Sequence, residues 1–262
     1  MTFLRTLPAK LQLLALRLYG SALARTFIRS PFGESVFLKA YFLYKWLYEA
    51  RQIQQLRPFT KNNSWIVDVG ANIGFFTVIF ARWLDSGKVL ALEPEPDNFR
   101  RLQGVIAGKA LGGRVEARQV AAAERKGTGH LVVSQESHAD HRLGDEGMPI
   151  KLDTLDSIWT EFGCPDVRLI KIDVQGVEYE VLLGAVELLK TCRPALYIEI
   201  DATPARTPVD RTQSLLRMME TQGYQPNIWR GRWNPLTIGQ VVPEAEKNAT
   251  GYADFLFLPD QP

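Results

Sequence analysis

The segment Trp65-Ile66-Val67-Asp68-Val69-Gly70-Ala71-Asn72-Ile73-Gly74-Phe75-Phe76-Thr77 restricts the fold more than any other part of the chain. Residues 66–69 form a short, largely β-branched run of the kind found in a central parallel strand. Asp68 interrupts it where a core strand avoids charge, so the carboxylate requires a partner. Gly70 and Gly74 permit a tight turn and close approach of main chain to a ligand. Residues 75–84 then show helical apolar spacing, and the helix is expected to open with free N–H groups at the turn. The next strand, residues 88–93, ends on Glu93-Pro94. Its acid falls about 20 residues past the turn, where nucleotide-binding sheets place the group that holds a ribose.

A nicotinamide dinucleotide would need glycines at the positions occupied by Gly70, Asn72 and Phe75, and only the first fits. The middle glycine is what lets a pyrophosphate touch the backbone, so the predicted ligand is a nucleoside without one. S-adenosylmethionine is such a ligand. Asp68 and Gly70 are expected to position its methionine part, Asn72 and Phe75 to complete the turn, and Glu93 to accept hydrogen bonds from both ribose hydroxyls. Ala71 and Gly74 in the turn, and Pro94 after the acid, belong to the same predicted cofactor site, and main-chain groups near Ala121 are candidates for the adenine. A glycine pair alone also suits an ordinary strand-to-helix turn; Asp68 and Glu93 are what separate the two readings.

With 262 residues and 46% hydrophobic content the chain can bury one large core, read as a helical extension over residues 1–60 and a catalytic domain over 61–262. The balance of 31 basic against 29 acidic residues gives no case for a nucleic-acid partner. The first 33 residues carry Arg5, Lys10, Arg17, Arg25 and Arg29 with no acid, and Leu4, Leu7, Leu11, Leu14 and Leu18 recur between them at helical spacing. Such a basic amphipathic segment can lie on an anionic membrane as a peripheral contact, dock on a partner, or cap the core of its own domain. Lys10 and Arg17 break any signal-peptide core, and no apolar run is long enough to span a bilayer. Cys164 and Cys192 have neither metal-ligand spacing nor a disulfide framework, so a reducing cytoplasm is the simplest setting.

After an aromatic-rich helix over residues 35–56, expected to cover the sheet or roof a pocket, strand and helix patterns alternate through most of the chain. The fold class predicted is α/β, a doubly wound, mainly parallel sheet of the Rossmann-like kind with an antiparallel edge from residues 225–229 and 254–258. Residues 177–190 read as one helix. Between 124 and 155 the pattern breaks into two short strand-like pieces, residues 130–134 and 150–152, separated by a polar stretch with His138, Asp140, His141 and Arg142 that is read as an active-site loop. A second acid-bearing strand end follows in Leu169-Ile170-Lys171-Ile172-Asp173-Val174-Gln175-Gly176-Val177-Glu178. In a doubly wound sheet the strand after the reversal ends beside the first turn, so Asp173 is expected to face the cofactor site. Glu199 occupies the analogous end of the next strand.

The combination of Val67-Asp68-Val69-Gly70-Ala71-Asn72-Ile73-Gly74, Glu93-Pro94, Leu155-Asp156, Ile170 to Glu178, Arg193-Pro194 and Glu199 resembles the FkbM-type methyltransferases over roughly residues 65–224. In that family Val-Glu-Gly is commonest where this chain has Val174-Gln175-Gly176. A Val-Gln-Gly branch carries a Gly-Asp-His-Arg loop, which Ala139-Asp140-His141-Arg142 matches at three of four positions. The resemblance implies a class I fold, S-adenosylmethionine as methyl donor, and O-methylation of a small-molecule or glycan acceptor. For a sugar hydroxyl a general base is expected, with His141 the first candidate and Asp173 orienting it or binding the acceptor. Arg142 suits an acidic acceptor and Asp140 would steady Arg142 or His141, while Gln175, Glu178 and Glu199 complete the acceptor side. A divalent ion held by Asp140, His141, Asp173 and Glu199 is an alternative, as are a non-catalytic scaffold and an NAD-dependent oxidoreductase.

Overall fold

The computed structural model describes residues 30–133, 141–144, 147–203, 209–248 and 250–260. Helix α1 (Pro31–Tyr48) starts at Ser30, whose hydroxyl accepts a hydrogen bond from the Gly33 amide, with Pro31 supplying a preset φ in the first turn. A short α2 (Ala50–Ile53) runs into a 3₁₀ turn over Gln54–Phe59 that contains Pro58, so the helical path bends through the proline where the sequence predicted a stop before it. Strands β1 (Trp65–Val69), β2 (Val89–Leu92) and β3 (Val115–Arg118) then alternate with α3 (Phe75–Ala81) and α4 (Pro96–Gly108).

The chain next leaves the main sheet for β4 (Ala121–Ala122), β5 (Gly127–Val133), β6 (His141–Gly144) and β7 (Met148–Asp153), followed by α5 (Leu155–Glu161). The main sheet resumes with β8 (Val167–Ile172), the helix pair α6 (Glu178–Leu183) and α7 (Val186–Cys192), β9 (Ala195–Asp201) and α8 (Val209–Thr221). It closes with β10 (Tyr224–Trp229), β11 (Trp233–Pro235), α9 (Val241–Glu246) and β12 (Tyr252–Pro259).

The eight-stranded sheet has the order β11-β10-β12-β9-β8-β1-β2-β3. Strands β3, β2, β1, β8 and β9 are mutually parallel, and β12, β10 and β11 attach antiparallel, so the antiparallel edge predicted with two strands has three. Alternation along the strands divides the core into two layers. Val67, Val69, Ile170, Ile172 and Ile198 face the layer built by α5 to α9, while Ile66, Leu169, Tyr197 and Leu256 face α3, α4 and the inner side of α1. The direction of travel reverses between β1 and β8, which places the crevice of a doubly wound sheet at the C-terminal ends of those two strands.

Two departures from the sequence reading have local causes. The helix expected over 177–190 is broken at Gly184-Ala185 between α6 and α7. A side chain at Gly184 would collide with the carbonyl oxygen of Ala123, the Gly184 carbonyl accepts the Asp156 amide, and the Asp156 carboxylate accepts the Glu187 and Leu188 amides, so a new helix starts there. Within 124–155 the strand-like pieces at 130–134 and 150–152 fall in β5 and β7, but residues 141–144 of the polar stretch read as a loop form β6, completing a separate sheet of order β4-β7-β5-β6, in which β5 and β7 pair antiparallel from Gly127↔Leu152 to Leu131↔Met148.

Gly70 sits at φ +73°, and a Cβ there would strike the carbonyl oxygen of Asp173. Gly163 has a similar φ of +77° with open space around it. Gly70→Ala should therefore lose about 3 kcal/mol, from left-handed strain and overpacking together. Gly163→Ala should lose about 1 kcal/mol from the backbone alone. Urea unfolding of the two variants checks the difference; equal losses would show that the loops after β1 and β8 do not press on each other.

Candidate active site

The site is organised by a lysine whose role the sequence reading missed. In register across the sheet, Asp68 of β1 lies beside Lys171 of β8, and Lys171 lies beside Tyr197 of β9. Two residues on, Glu199 is opposite Asp254 of β12. Side chains two apart on a strand share a face, so these groups form one polar row across four strands on the side covered by α1. Lys171 Nζ donates to the Gly70 carbonyl at 2.7 Å and the Val69 carbonyl at 3.3 Å. It stands 3.2 Å from Asp68 Oδ1 and 3.6 Å from Asp173 Oδ2. Its ammonium also lies 4.9 Å from the Phe76 ring centroid. Burial works against this charge, but Asp68 and then Asp173 outweigh it and raise the lysine pKa, so the ammonium is fixed.

Asp68 is fully buried, and its second oxygen accepts the Thr77 hydroxyl at 2.6 Å. Both of its oxygens therefore serve the protein's own groups. The first meets the ammonium as an ion pair without hydrogen-bond alignment. Asp173 is one-third exposed, and its amide donates to the Val69 carbonyl at 3.3 Å, tying the β8 exit to the β1 exit.

The turn after β1 is closed on itself. Gly70 and Ala71 amides donate to the Leu92 carbonyl, the Ile73 amide to Asn72 Oδ1, and the Gly74 amide to the Ala71 carbonyl. The amides of the turn itself are thus occupied, whereas the first turn of α3 has no side-chain cap. Left-handed conformations at Gly70, Asn72 and Gly74 make the closure attainable. The turn offers a ligand shape and close backbone approach, its own amides being engaged within the protein. Phe75 packs its ring 5.6 Å from Phe42 of α1, and Ala121 packs beneath the small sheet with Leu131 and Ile150.

Glu93, just past β2, is buried beside this turn. Its Oε2 accepts from the Asn72 amide at 2.8 Å and its Oε1 from the Glu95 amide at 2.9 Å. Each oxygen keeps a lone pair, the geometry of a carboxylate that can serve two neighbouring hydroxyls. Burial pushes its pKa up to about 7 despite the two amides, which favour the charged form. Pro94, half-buried, ends the strand beside it.

On the other side of the crevice Gln175 and Gly176 adopt φ of +59° and +92°, so the β8 exit is also a left-handed turn. Glu178 opens α6 and accepts the Gly176 amide at 2.9 Å; burial raises its pKa to about 7. Burial, then Asp173 and Asp254, hold Glu199 well above the usual carboxylate range. Asp254 is raised to about 7 by burial and by Asp173, with Tyr197 acting in the opposite sense. From α1, Lys45 pairs with Glu49 at 2.6 Å and lies 5.7 Å from the Phe76 centroid, while Gln52 donates to the Tyr197 hydroxyl at 3.0 Å. The helix predicted to cover the sheet or roof a pocket covers the sheet, with Leu38, Tyr41 and Phe42 packed against that core layer; Tyr41, Lys45 and Glu49 were not pointed out by the sequence as site residues.

The structure therefore brings together Asp68, Gly70, Ala71, Asn72, Gly74, Glu93, Asp173, Gln175, Glu178 and Glu199. The backbone of His141 pairs with Val133 at the outer end of the β5–β6 hairpin, with Arg142 next to it opposite Val132. Their side chains, and Asp140 entirely, lie outside the described residues. Among the described residues no three His, Cys, Asp or Glu side chains are grouped to hold a metal ion.

The model of the FkbM methyltransferase domain matches residues 68–226, the stretch from the buried aspartate to β10. The chain belongs to the FkbM methyltransferase family. It is 32% identical over 161 residues to the methyltransferase sdnD of Sordaria araneosa, covering 48% of this chain and 62% of that protein. It is 28% identical over 149 residues to the hexuronic acid methyltransferase AglP of Haloferax volcanii, covering 56% of this chain and 59% of that one. The matches thus span about three fifths of these relatives' length. An FkbM methyltransferase structure from Methylobacillus flagellatus aligns at a TM-score of 0.47 and 19% identity, covering 75% of this chain and 44% of that one.

Removing one member of a buried ion pair strands the other. Lys171→Met should cost about 3–5 kcal/mol by leaving Asp68 charged without its partner, and adding Asp68→Asn should restore a large part of that loss. Chemical denaturation of the two single variants and the double variant measures the coupling; additive losses would contradict it.

Glu93, Glu178 and Asp254 all titrate near 7 when folded against ordinary values of 4.5, 4.5 and 3.8. A raised folded pKa means the native state holds more protons than the unfolded chain between those values and about 7, so stability is greatest at the acid end and falls as pH rises through 7. The urea midpoint should decline from pH 5.5 to about 8, and Glu93→Gln, which cannot ionise, should flatten the decline.

Proposed function

We propose that this chain is an S-adenosylmethionine-dependent O-methyltransferase acting on a hydroxyl of a sugar, a glycolipid or polysaccharide precursor, or a natural product. The observation that carries the reading is that Glu93, the Gly70 turn and Asp173 meet at the point where the strand order reverses, with the turn's own amides engaged within the protein. Family membership supports methyl transfer, and the hexuronic acid methyltransferase among its relatives supports a sugar acceptor.

The residues fit the methyl donor. Glu93 has the free lone pairs to accept both ribose hydroxyls, and left-handed Gly70 and Asn72 leave the main chain open to the adenosine and methionine parts. Asp173, held by Lys171 and partly exposed, is placed for the ammonium of the methionine part or the acceptor hydroxyl. Asp68 acts through Lys171, fixing the turn that the cofactor would touch. S-adenosylmethionine supplies a methyl carbon on a sulfonium, an electrophile that requires orientation more than activation.

On the acceptor side His141, at the outer end of the β5–β6 hairpin, is the proposed base, with Arg142 available for an acidic acceptor. Gln175, Glu178 and Glu199 line the opposite side, and Lys45 contributes a fixed positive charge. Inaction as a scaffold would leave several buried carboxylates without use, each at a cost in stability. An NAD-dependent reaction would need a phosphate-binding turn, and this one has its amides engaged.

Isothermal titration and a labelled methyl donor test the reading. Glu93→Ala should weaken S-adenosylmethionine binding by ~1–3 kcal/mol, the cost of leaving the ribose diol without its acceptor. His141→Ala should leave donor affinity unchanged and lower turnover at saturating acceptor by about 10²- to 10⁴-fold. No binding of the donor by the intact protein would overturn the assignment, and near-normal turnover of His141→Ala would remove the base.

A further inference from the structure

Helix α1 is amphipathic the wrong way round for a helix whose outer side meets water. Its inner side carries Tyr41, Lys45 and Glu34 as well as Leu38 and Phe42, and it is anchored by Glu34 to Arg100 and Arg101 of α4 at 2.7 and 2.9 Å and by the Phe42–Phe75 contact. Its outer side presents Phe32, Val36, Leu43, Trp46 and Leu47, each between 42% and 72% exposed. At 100° per residue these five fall within one arc of about 100°, with exposed Lys39 inside it. Only three other large apolar residues among the described ones are comparably exposed, and they are scattered over β5, α7 and α8.

Charge follows the same division. Residues 1–61 hold ten Lys and Arg against two Asp and Glu, whereas the remaining residues hold 21 against 27. The two acids of the first part, Glu34 and Glu49, are held in ion pairs with Arg100, Arg101 and Lys45. Lys39, Arg51 and Arg57 are exposed. An apolar stripe accompanied by uncompensated cations, continuous in sequence with the basic amphipathic residues 1–29, has the chemistry of an interfacial helix on an anionic bilayer. No described helix is long and apolar enough to cross one, so the contact is peripheral.

We propose that the outer face of α1 docks on an anionic lipid surface and that the acceptor methylated in the crevice beneath it is lipid-anchored. The second half rests on the methyltransferase reading above; the first does not. Because the inner side of the same helix supplies Tyr41 and Lys45 to the polar row, docking sets the crevice beside the membrane interface. A water-soluble head group on a lipid anchor would reach the site from there without leaving the bilayer.

The full chain should be sedimented with vesicles of phosphatidylcholine alone and of phosphatidylcholine with phosphatidylglycerol. At least tenfold stronger partitioning to the anionic vesicles is expected, weakening with salt and falling at least tenfold in the double substitution Leu43→Glu, Leu47→Glu. That variant should keep its S-adenosylmethionine affinity, which separates failure of docking from failure of the enzymatic reading. Equal partitioning to both vesicles, or a variant that sediments as the parent does, overturns the surface assignment. So does loss of folding stability or of a dimer in the variant without vesicles, since residues 1–29 or a second copy would then cover the face. With labelled methyl donor and a host membrane extract, label should enter the chloroform-soluble fraction; label confined to the aqueous phase overturns the lipid-anchored acceptor.

Discussion

The buried ammonium of Lys171 is the constraint on which the site depends. It ties together two strand ends that have no covalent neighbour in common: β1, through the carbonyls of Val69 and Gly70 and the Asp68 carboxylate, and β8, through its own backbone and Asp173. As a source of stability such a pair is poor, because desolvating two charges cancels most of their attraction, and an apolar pair of equal size would serve as well. What an apolar pair cannot do is direct donors at particular carbonyl oxygens. The lysine fixes where the turn after β1 stands relative to Asp173, and Gly70 allows that separation to close until no side chain fits between them.

This is also where the limit of the sequence lies. The strand-turn-helix around Gly70 and the acid at Glu93 were legible because they are local: a β-branched run, two glycines and a carboxylate at a set distance along the chain. The parallel sheet was legible from alternation. Lys171 was visible as a charge within an apolar strand, but its partner is 103 positions away and meets it only through the β1–β8 register. The same holds for Glu199 and Asp254, paired across an antiparallel strand whose neighbour could not be assigned from spacing. Register is a tertiary property, and a one-residue slip would have put every one of these groups on the opposite face.

Amide hydrogen bonds account for another part. The start of α3 was read as offering free donors, which is the general expectation for a helix end. Here the turn before it curls back so far that Leu92, Ala71 and the Asn72 side chain accept the amides of Gly70, Ala71, Ile73 and Gly74, while the helix's own first turn carries no side-chain cap. Asn72, a misfit to the dinucleotide pattern, and Gly74, read as part of a tight turn, make this possible, since both sit in left-handed conformations. In α1 the aromatic content was legible but the polarity of its faces was not, because which side meets the sheet depends on Glu34 finding the arginines of α4.

Around the crevice the protein keeps Glu93, Glu178, Glu199 and Asp254 where burial penalises their charged forms, and Asp173 adds to that penalty at the last three. A core selected for stability alone would replace these groups, since carboxyls titrating near neutrality oppose folding as soon as they ionise. Their persistence in one place, on the one face of the sheet where a lysine, two tyrosines and an inward-facing helix converge, is a local violation of packing rules concentrated at a single site. Ligand hydroxyls that donate to such carboxyls relieve the penalty in the bound state. If the site takes a hydroxyl-bearing ligand, as proposed, the free energy forgone by holding these carboxyls buried would be returned as selectivity for it over an apolar one of the same shape.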